Sequence, residues 1–245
     1  MPSNSDLIRA FNNSNIICHF TKSSILPLIL ENGLLFHRLC DMNDIFEHTK
    51  QVFFDTHSLF DIEEKDVLCE LKRYCQVSFS NDHHDKRAFM LWQMWGHYAD
   101  SGKGICLVFE KSKLADLCRG QFYFGDVFYT EEECGNIVLN ESPKPFFENN
   151  ISEIFFTKNR EWEHEREFRI ISSFDDDTNH YLSFGDSLLC AIAISEQPAS
   201  VNDALAKHNK PLLFLSQFLG DWQLTHDQSE LIWYSVNPTD YKLNI

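Results

Sequence analysis

Apolar residues along this chain fall in brief runs separated by polar turns, a rhythm that predicts many short strands with helices set between them. Asn15–Phe20 (Asn-Ile-Ile-Cys-His-Phe) predicts a buried strand that delivers His19 and Thr21 near its end. Ser23 or Ser24 is placed to cap a helix over Ile25–Asn32, with Pro27 in the first turn and Gly33 as terminator. Leu34–His37 reads as another strand, 41–44 as a turn, and Asp61–Tyr74 as an amphipathic helix. Gln76–Ser80 alternates Val77 and Phe79 against Gln76, Ser78 and Ser80, the pattern of a half-buried strand.

Further along, Arg87–Tyr98 predicts an aromatic helix, 101–104 a turn, Ile105–Phe109 a strand, Lys111–Cys118 a helix and Gln121–Thr130 a strand. Residues 131–156 read as helical, broken at Pro143 and Pro145. Glu167–Ser173, Leu188–Ser195 and Pro211–Leu215 predict strands, with a helix over Val201–His208. Strands and helices mix without regular alternation, so the expected class is α+β, with mixed or antiparallel sheets and flanking helices. No repeat, low-complexity tract or linker divides the chain. The expectation is one domain over 1–245, its core at 15–220 and residues 1–14 a helix or arm.

Composition narrows the function classes. An apolar fraction of 43% with 22 Phe describes a packed chain. No apolar run is long enough for a membrane span, and the first residues lack a secretion signal. Eight irregularly spaced Cys, several inside apolar runs, read as reduced core thiols of a cytoplasmic protein. A net charge of −16 argues against a broad nucleic-acid-binding surface. An oligomer or a partner chain is left open.

The densest chemistry lies in Lys158–Ile171, where a polar, Trp-bearing turn runs into an apolar strand. Alternation would put Glu165, Glu167 and Arg169 on one face, where paired carboxylates repel and a guanidinium compensates. The plainer alternative is an ion pair on a solvent-facing edge strand. His19 with Thr21, and Ser78 with Ser80, repeat the motif of a polar pair on an apolar strand. Asn43, Asp44 and Glu47 form a polar corner that also reads as a helix-capping turn. Trp92, Trp95 and Tyr98 have core spacing. Cys69, Cys75, His83 and His84 lack the paired spacing that presets a metal site. There is neither a phosphate loop nor a serine nucleophile elbow.

The ordered series His19-Phe20-Thr21, Asn43-Asp44-x2-Glu47, Ser78-Phe79-Ser80, Met94-Trp95-x2-Tyr98 and Lys158-x3-Trp162-x2-Glu165-x-Glu167-x-Arg169 resembles the bacterial family called domain of unknown function 2971. More distantly, the layout is similar to the split-sheet core of ADP-ribosyltransferases. Those enzymes draw an early His or Arg, a middle Ser or Tyr and a late Glu, often in a Glu-x-Glu or Gln-x-Glu pair, from three strands; Arg169 lies outside their pattern. The resemblance implies NAD as substrate without a metal, with Glu165 or Glu167 as the catalytic carboxylate. It places His19, Thr21 and Ser78 or Ser80 at the nucleotide, and Tyr98, Trp162, Arg169, Asn43, Asp44 and Glu47 are further expected to line the nucleotide site. The expected function is ADP-ribosyl transfer or NAD hydrolysis by a bacterial toxin or anti-phage effector. A nucleotide-type ligand sensor of a defence system is the alternative, and a nuclease a weaker one.

Overall fold

The longest unbroken apolar runs become the innermost strands, and the shorter, polar-ended ones lie toward the ends of the sheet. The computed structural model describes residues 4–13, 15–39, 42, 51–54, 63–83, 86–131, 136–139, 141–218, 221–226, 233–236 and 243–244. In chain order these form α1 (Asn4–Asn12), β1 (Ile16–Thr21), α2 (Leu26–Asn32), β2 (Leu34–Leu35), β3 (His37–Arg38), β4 (Gln51–Phe54), α3 (Glu64–Leu71) and β5 (Tyr74–Asn81). Then come α4 (Trp92–Tyr98), β6 (Ile105–Glu110), α5 (Lys111–Cys118), β7 (Tyr123–Asp126), β8 (Phe128–Thr130), β9 (Asn136–Leu139), α6 (Pro143–Asn149), α7 (Ile151–Phe155) and β10 (Thr157–Asn159). The last elements are β11 (Glu167–Ser173), β12 (Tyr181–Leu182), β13 (Leu188–Ala193), α8 (Ala199–Lys207), β14 (Leu212–Phe218), β15 (Asp221–Thr225), β16 (Trp233–Val236) and β17 (Leu243–Asn244). The class is α+β with a mixed, mostly antiparallel sheet. Among the described residues no helix is long and apolar enough to cross a membrane.

The chain forms two compact units, each assembled from separate segments. The first comprises Met1–Leu34, Phe79–Leu117 and Ser183–Ile245. Its strands run in the order β17-β16-β15-β14-β13-β6-β1, followed by the end of β5. All of these pairs are antiparallel except β13 with β14, which are joined through α8. Strand β13 and most of β6 are buried, as continuous apolar runs require. One face of β1 places Cys18 and Phe20 in a core with Phe11, Phe89 and Trp95; Phe20 meets the Trp95 ring edge-on at 5.3 Å. Arg87 lies inside this unit, paired with Asp82 at 3.0 Å and donating to the Phe11 carbonyl at 2.6 Å.

The second unit comprises Leu35–Ser78 and Cys118–Leu182. Here β5 pairs with β3 and β11, and β7 pairs antiparallel with β11. Two parallel pairs stand apart, β4 with β9 and β8 with β10. The core stacks Tyr74 on Phe155 at 4.5 Å, with Val67, Phe147 and Ile171 around them.

Four local expectations are corrected. Ser23 opens a 3-10 turn ahead of α2 but caps nothing; its hydroxyl donates to Gln197. The aromatic helix expected at 87–98 is a 3-10 turn at Ala88–Met90 followed by α4, and Trp92 is exposed while Trp95 is buried. The strand at 121–130 splits at Val127, because Val127 N–H donates to Glu167 O whereas Phe128 N–H donates to Phe156 O. Pro143 opens α6, where a missing N–H removes no helical bond, so the prolines start this helix.

Candidate functional site

In the second unit, four charged side chains converge within the fold. Lys158 is the middle residue of the short strand β10, which follows the apolar Phe155-Phe156, and its ammonium lies 2.7 Å from Glu165 Oε2 and 3.4 Å from Glu167 Oε2. Arg169 Nη2 donates to the same Glu167 oxygen at 2.8 Å, and Nη1 donates to the Phe155 carbonyl at 2.7 Å. Exposure is 5% for Lys158, 3% for Glu165, 6% for Glu167 and 0% for Arg169. Two acids meet two bases, so the formal charge cancels, the condition under which buried ions are tolerable. The plainer expectation, a solvent-facing edge strand, is thereby corrected: β11 lies between β5 and β7 and the cluster is buried.

Strand alternation accounts for only part of the convergence. Glu167 and Arg169 share a face of β11 as expected. Glu165 does not lie in the strand; it ends a 3-10 turn over Arg160–Glu165. Arg166 then takes a left-handed conformation (φ 50°), and this reversal separates the two acids along the chain while Lys158 holds both. The turn begins at Asn159, whose side chain accepts from Glu161 N–H at 2.9 Å. Trp162 lies over the Lys158 ammonium at 4.6 Å, a cation–π contact, and its ring is near that of His164 at 6.2 Å.

Strand β5 supplies a polar row to the same cluster. Gln76 Nε2 donates to Ser78 Oγ at 3.2 Å, and the Ser78 hydroxyl bonds to the Glu167 carboxylate. Burial pushes the Glu167 carboxyl up, but Arg169, Lys158 and these hydrogen bonds outweigh it and bring it down to about 2. Glu167 is therefore held as an anion near neutral pH. Its backbone N–H donates to the Tyr129 hydroxyl at 2.8 Å. Burial, reinforced by the Glu167 and Glu165 carboxylates, raises the Tyr129 phenol, which stays protonated.

His19 and Thr21 belong to the first unit, on the face of β1 opposite Cys18 and Phe20. The His19 ring meets Phe79 edge-on at 5.8 Å. Ser80 is paired with Cys18 across β1 and β5, so it shares the face of Cys18 and not that of His19. It is buried, and its hydroxyl has no hydrogen-bond partner among the described residues. Thus Ser78, Glu165, Glu167, Arg169 and Trp162 come together, His19 and Thr21 form a pair, and Ser80 joins neither group. Tyr98 is half-buried against the first unit's core. Asn43, Asp44 and Glu47 lie outside the described residues.

Reading the residues singly missed Lys158 and Tyr129 as members of the site. The signal for Lys158 is a cation two residues after a Phe-Phe pair, a position that is costly if buried unless paired. Tyr129 carried no signal in spacing, since it reaches Glu167 from β8.

No curated protein and no solved structure matches the chain. Residues 94–170 match the model of a family described as protein of unknown function (DUF2971), a segment that contains Met94-Trp95-x2-Tyr98 and the whole Lys158–Arg169 cluster, and this supports the resemblance read from those motifs.

Proposed function

We propose that the chain is a glycosyl-transferring enzyme of the ADP-ribosyltransferase kind, acting on NAD. The observation that carries the reading is the buried carboxylate pair Glu165 and Glu167 on a single ammonium, Lys158. Cleaving the nicotinamide–ribose bond sends the bonding pair out with nicotinamide and leaves an oxocarbenium-like ribosyl cation. Water or a nucleophilic acceptor captures that cation and releases a proton. Carboxylates fixed beforehand stabilise the developing positive charge without reorganising during the step. Glu167, held ionised by Arg169 and Lys158, serves as fixed charge, while Glu165 is assigned to the ribose.

A second reading, a nucleotide-responsive binding module without turnover, is favoured by the cancellation of charge in the cluster. Nicotinamide release from NAD by the purified protein separates the two, with thermal shift in NAD, ADP-ribose and other nucleotides run beside it. The enzymatic reading expects release that falls by about a hundredfold or more in Glu165→Gln. Stabilisation by NAD with no release would favour the binding module.

A further inference from the structure

Exposures of 3% at Glu165 and 6% at Glu167 leave no open approach to either carboxylate, so any molecule that meets them needs a covering segment to move. Three of the four charged residues belong to strands, Lys158 to β10 and Glu167 and Arg169 to β11. Glu165 is carried instead by the 3-10 turn Arg160–Glu165, which packs on β8 and β10 of the same unit.

That turn is weakly built. It runs for six residues, whereas 3-10 geometry is seldom kept beyond about four because its hydrogen bonds are poorly aligned. The left-handed Arg166 at its end is a conformation that a side chain with a Cβ disfavours. Glu161 and Glu163 face solvent, while Trp162 lies over the Lys158 ammonium at 4.6 Å and Glu165 meets it at 2.7 Å. On the outside, Arg160 reaches Glu131 at 2.7 Å and Glu163 at 3.3 Å, exposed ion pairs of the kind that hold little. Asn159 caps the first turn through Glu161 N–H.

Lifting the turn strands no buried ion. Glu165 returns to water, while Lys158 keeps Glu167 at 3.4 Å and Glu167 keeps Arg169 at 2.8 Å. The backbone of Lys158 stays in place through its pairing with Tyr129 between β10 and β8. The cluster thus divides into a fixed part in the strands and a movable part on the turn.

We infer that residues 159–166 form a gate over Lys158, Glu167 and Arg169, closed in this structure. It swings about Asn159 and Arg166, withdrawing Trp162 and Glu165 to admit a molecule and returning them over it. The inference goes beyond the NAD reading: the gate governs access to Glu167 whatever molecule enters, and its test uses no NAD.

The test is amide hydrogen exchange followed by NMR in wild type, Asn159→Ala and Arg160→Gln. Arg166 N–H, which donates to the Glu163 carbonyl at 3.2 Å, reports on the turn, and the Ile170 and Ile171 amides of β11 report on the sheet. In wild type, protection at Arg166 should be at least about a hundredfold lower than in β11 and nearly independent of dilute urea, the mark of local opening. Loss of the cap should speed Arg166 exchange about fivefold and loss of the Arg160 pairs about twofold, with the β11 amides unchanged. Labelling of Glu165→Cys by a thiol reagent, read against the buried native Cys75, reports whether the inward side chain leaves with the turn. The introduced thiol should react at least about tenfold faster than Cys75, and faster still with Asn159→Ala added. Exchange at Arg166 that matches β11 in rate and urea dependence, or an introduced thiol as slow as Cys75, would overturn the gate. Arg160→Gln, a substitution at an exposed residue, carries the comparison if Asn159→Ala does not fold.

Discussion

Glu167 and Arg169, two residues apart on one strand, form a buried ion pair in which Nη2 donates to Oε2 at 2.8 Å while Lys158 approaches the same oxygen from 3.4 Å. A buried carboxylate with two cations is stable only as a set, because each ion has given up its hydration. Removing one cation should therefore cost more than the bond itself. Arg169→Met is expected to lower folding stability by about 3–5 kcal/mol in urea unfolding, with Arg169→Met/Glu167→Met recovering much of that loss. A double variant no better than the single one would show that the two residues are not energetically coupled.

The same pair makes stability pH-dependent in the acid range. Glu167 is held near 2 in the fold against an ordinary value of 4.5, so the unfolded chain takes up its proton first as pH falls. Its contribution is complete above about pH 5 and is lost as pH drops through 4.5 toward 2; it is on the order of 3 kcal/mol. Urea midpoints at pH 6, 4 and 3 should fall steeply for wild type. The fall should be shallower for Glu167→Gln, and equal slopes would refute the assignment.

Two glycines should respond in opposite directions to the same substitution. Gly104→Ala places a Cβ 2.2 Å from the Thr21 carbonyl and 2.9 Å from the Ala99 backbone, and should cost about 3 kcal/mol or more. Gly96 lies within α4 with nothing within 4 Å of a built Cβ, so Gly96→Ala should raise stability by about 0.5–1 kcal/mol. Melting temperatures of the two variants check both directions at once.

The serines of β5 separate in a similar way. Ser80→Ala removes a buried hydroxyl that has no hydrogen-bond partner among the described residues, and should change stability by less than about 1 kcal/mol in either direction. Ser78→Ala removes a hydrogen bond to the Glu167 carboxylate. Titration of Glu167 followed by NMR should show its pKa moving up toward 4.5 in the Ser78 variant and staying in place in the Ser80 variant.

Sequence patterns exposed the strands and the identity of most charged groups, but not how they meet. The runs at Ile105–Phe109 and Leu188–Ala193 were legible because a strand buried on both faces admits only apolar residues. The pairing of Glu165 with Glu167 was expected for the wrong reason. Period-two spacing implied a common strand, whereas a left-handed Arg166 ends the 3-10 turn between them, and an arginine carries no local mark of that conformation. Lys158 returns to Glu165 across seven residues, and Gln197 reaches Ser23 from the far side of the sequence. Such links are set by tertiary packing, which leaves no periodic trace. Alternation also suggested that Ser78 and Ser80 act together, yet the register Cys18↔Ser80 points Ser80 toward the core around Cys18.

The most direct measurement is free nicotinamide after NAD is incubated with wild-type protein, Glu165→Gln and Glu167→Gln, each checked for native folding by circular dichroism. Release by wild type is expected, abolished in Glu165→Gln and sharply reduced in Glu167→Gln. Equal release by all three folded proteins, or none from wild type at any NAD concentration, would contradict it.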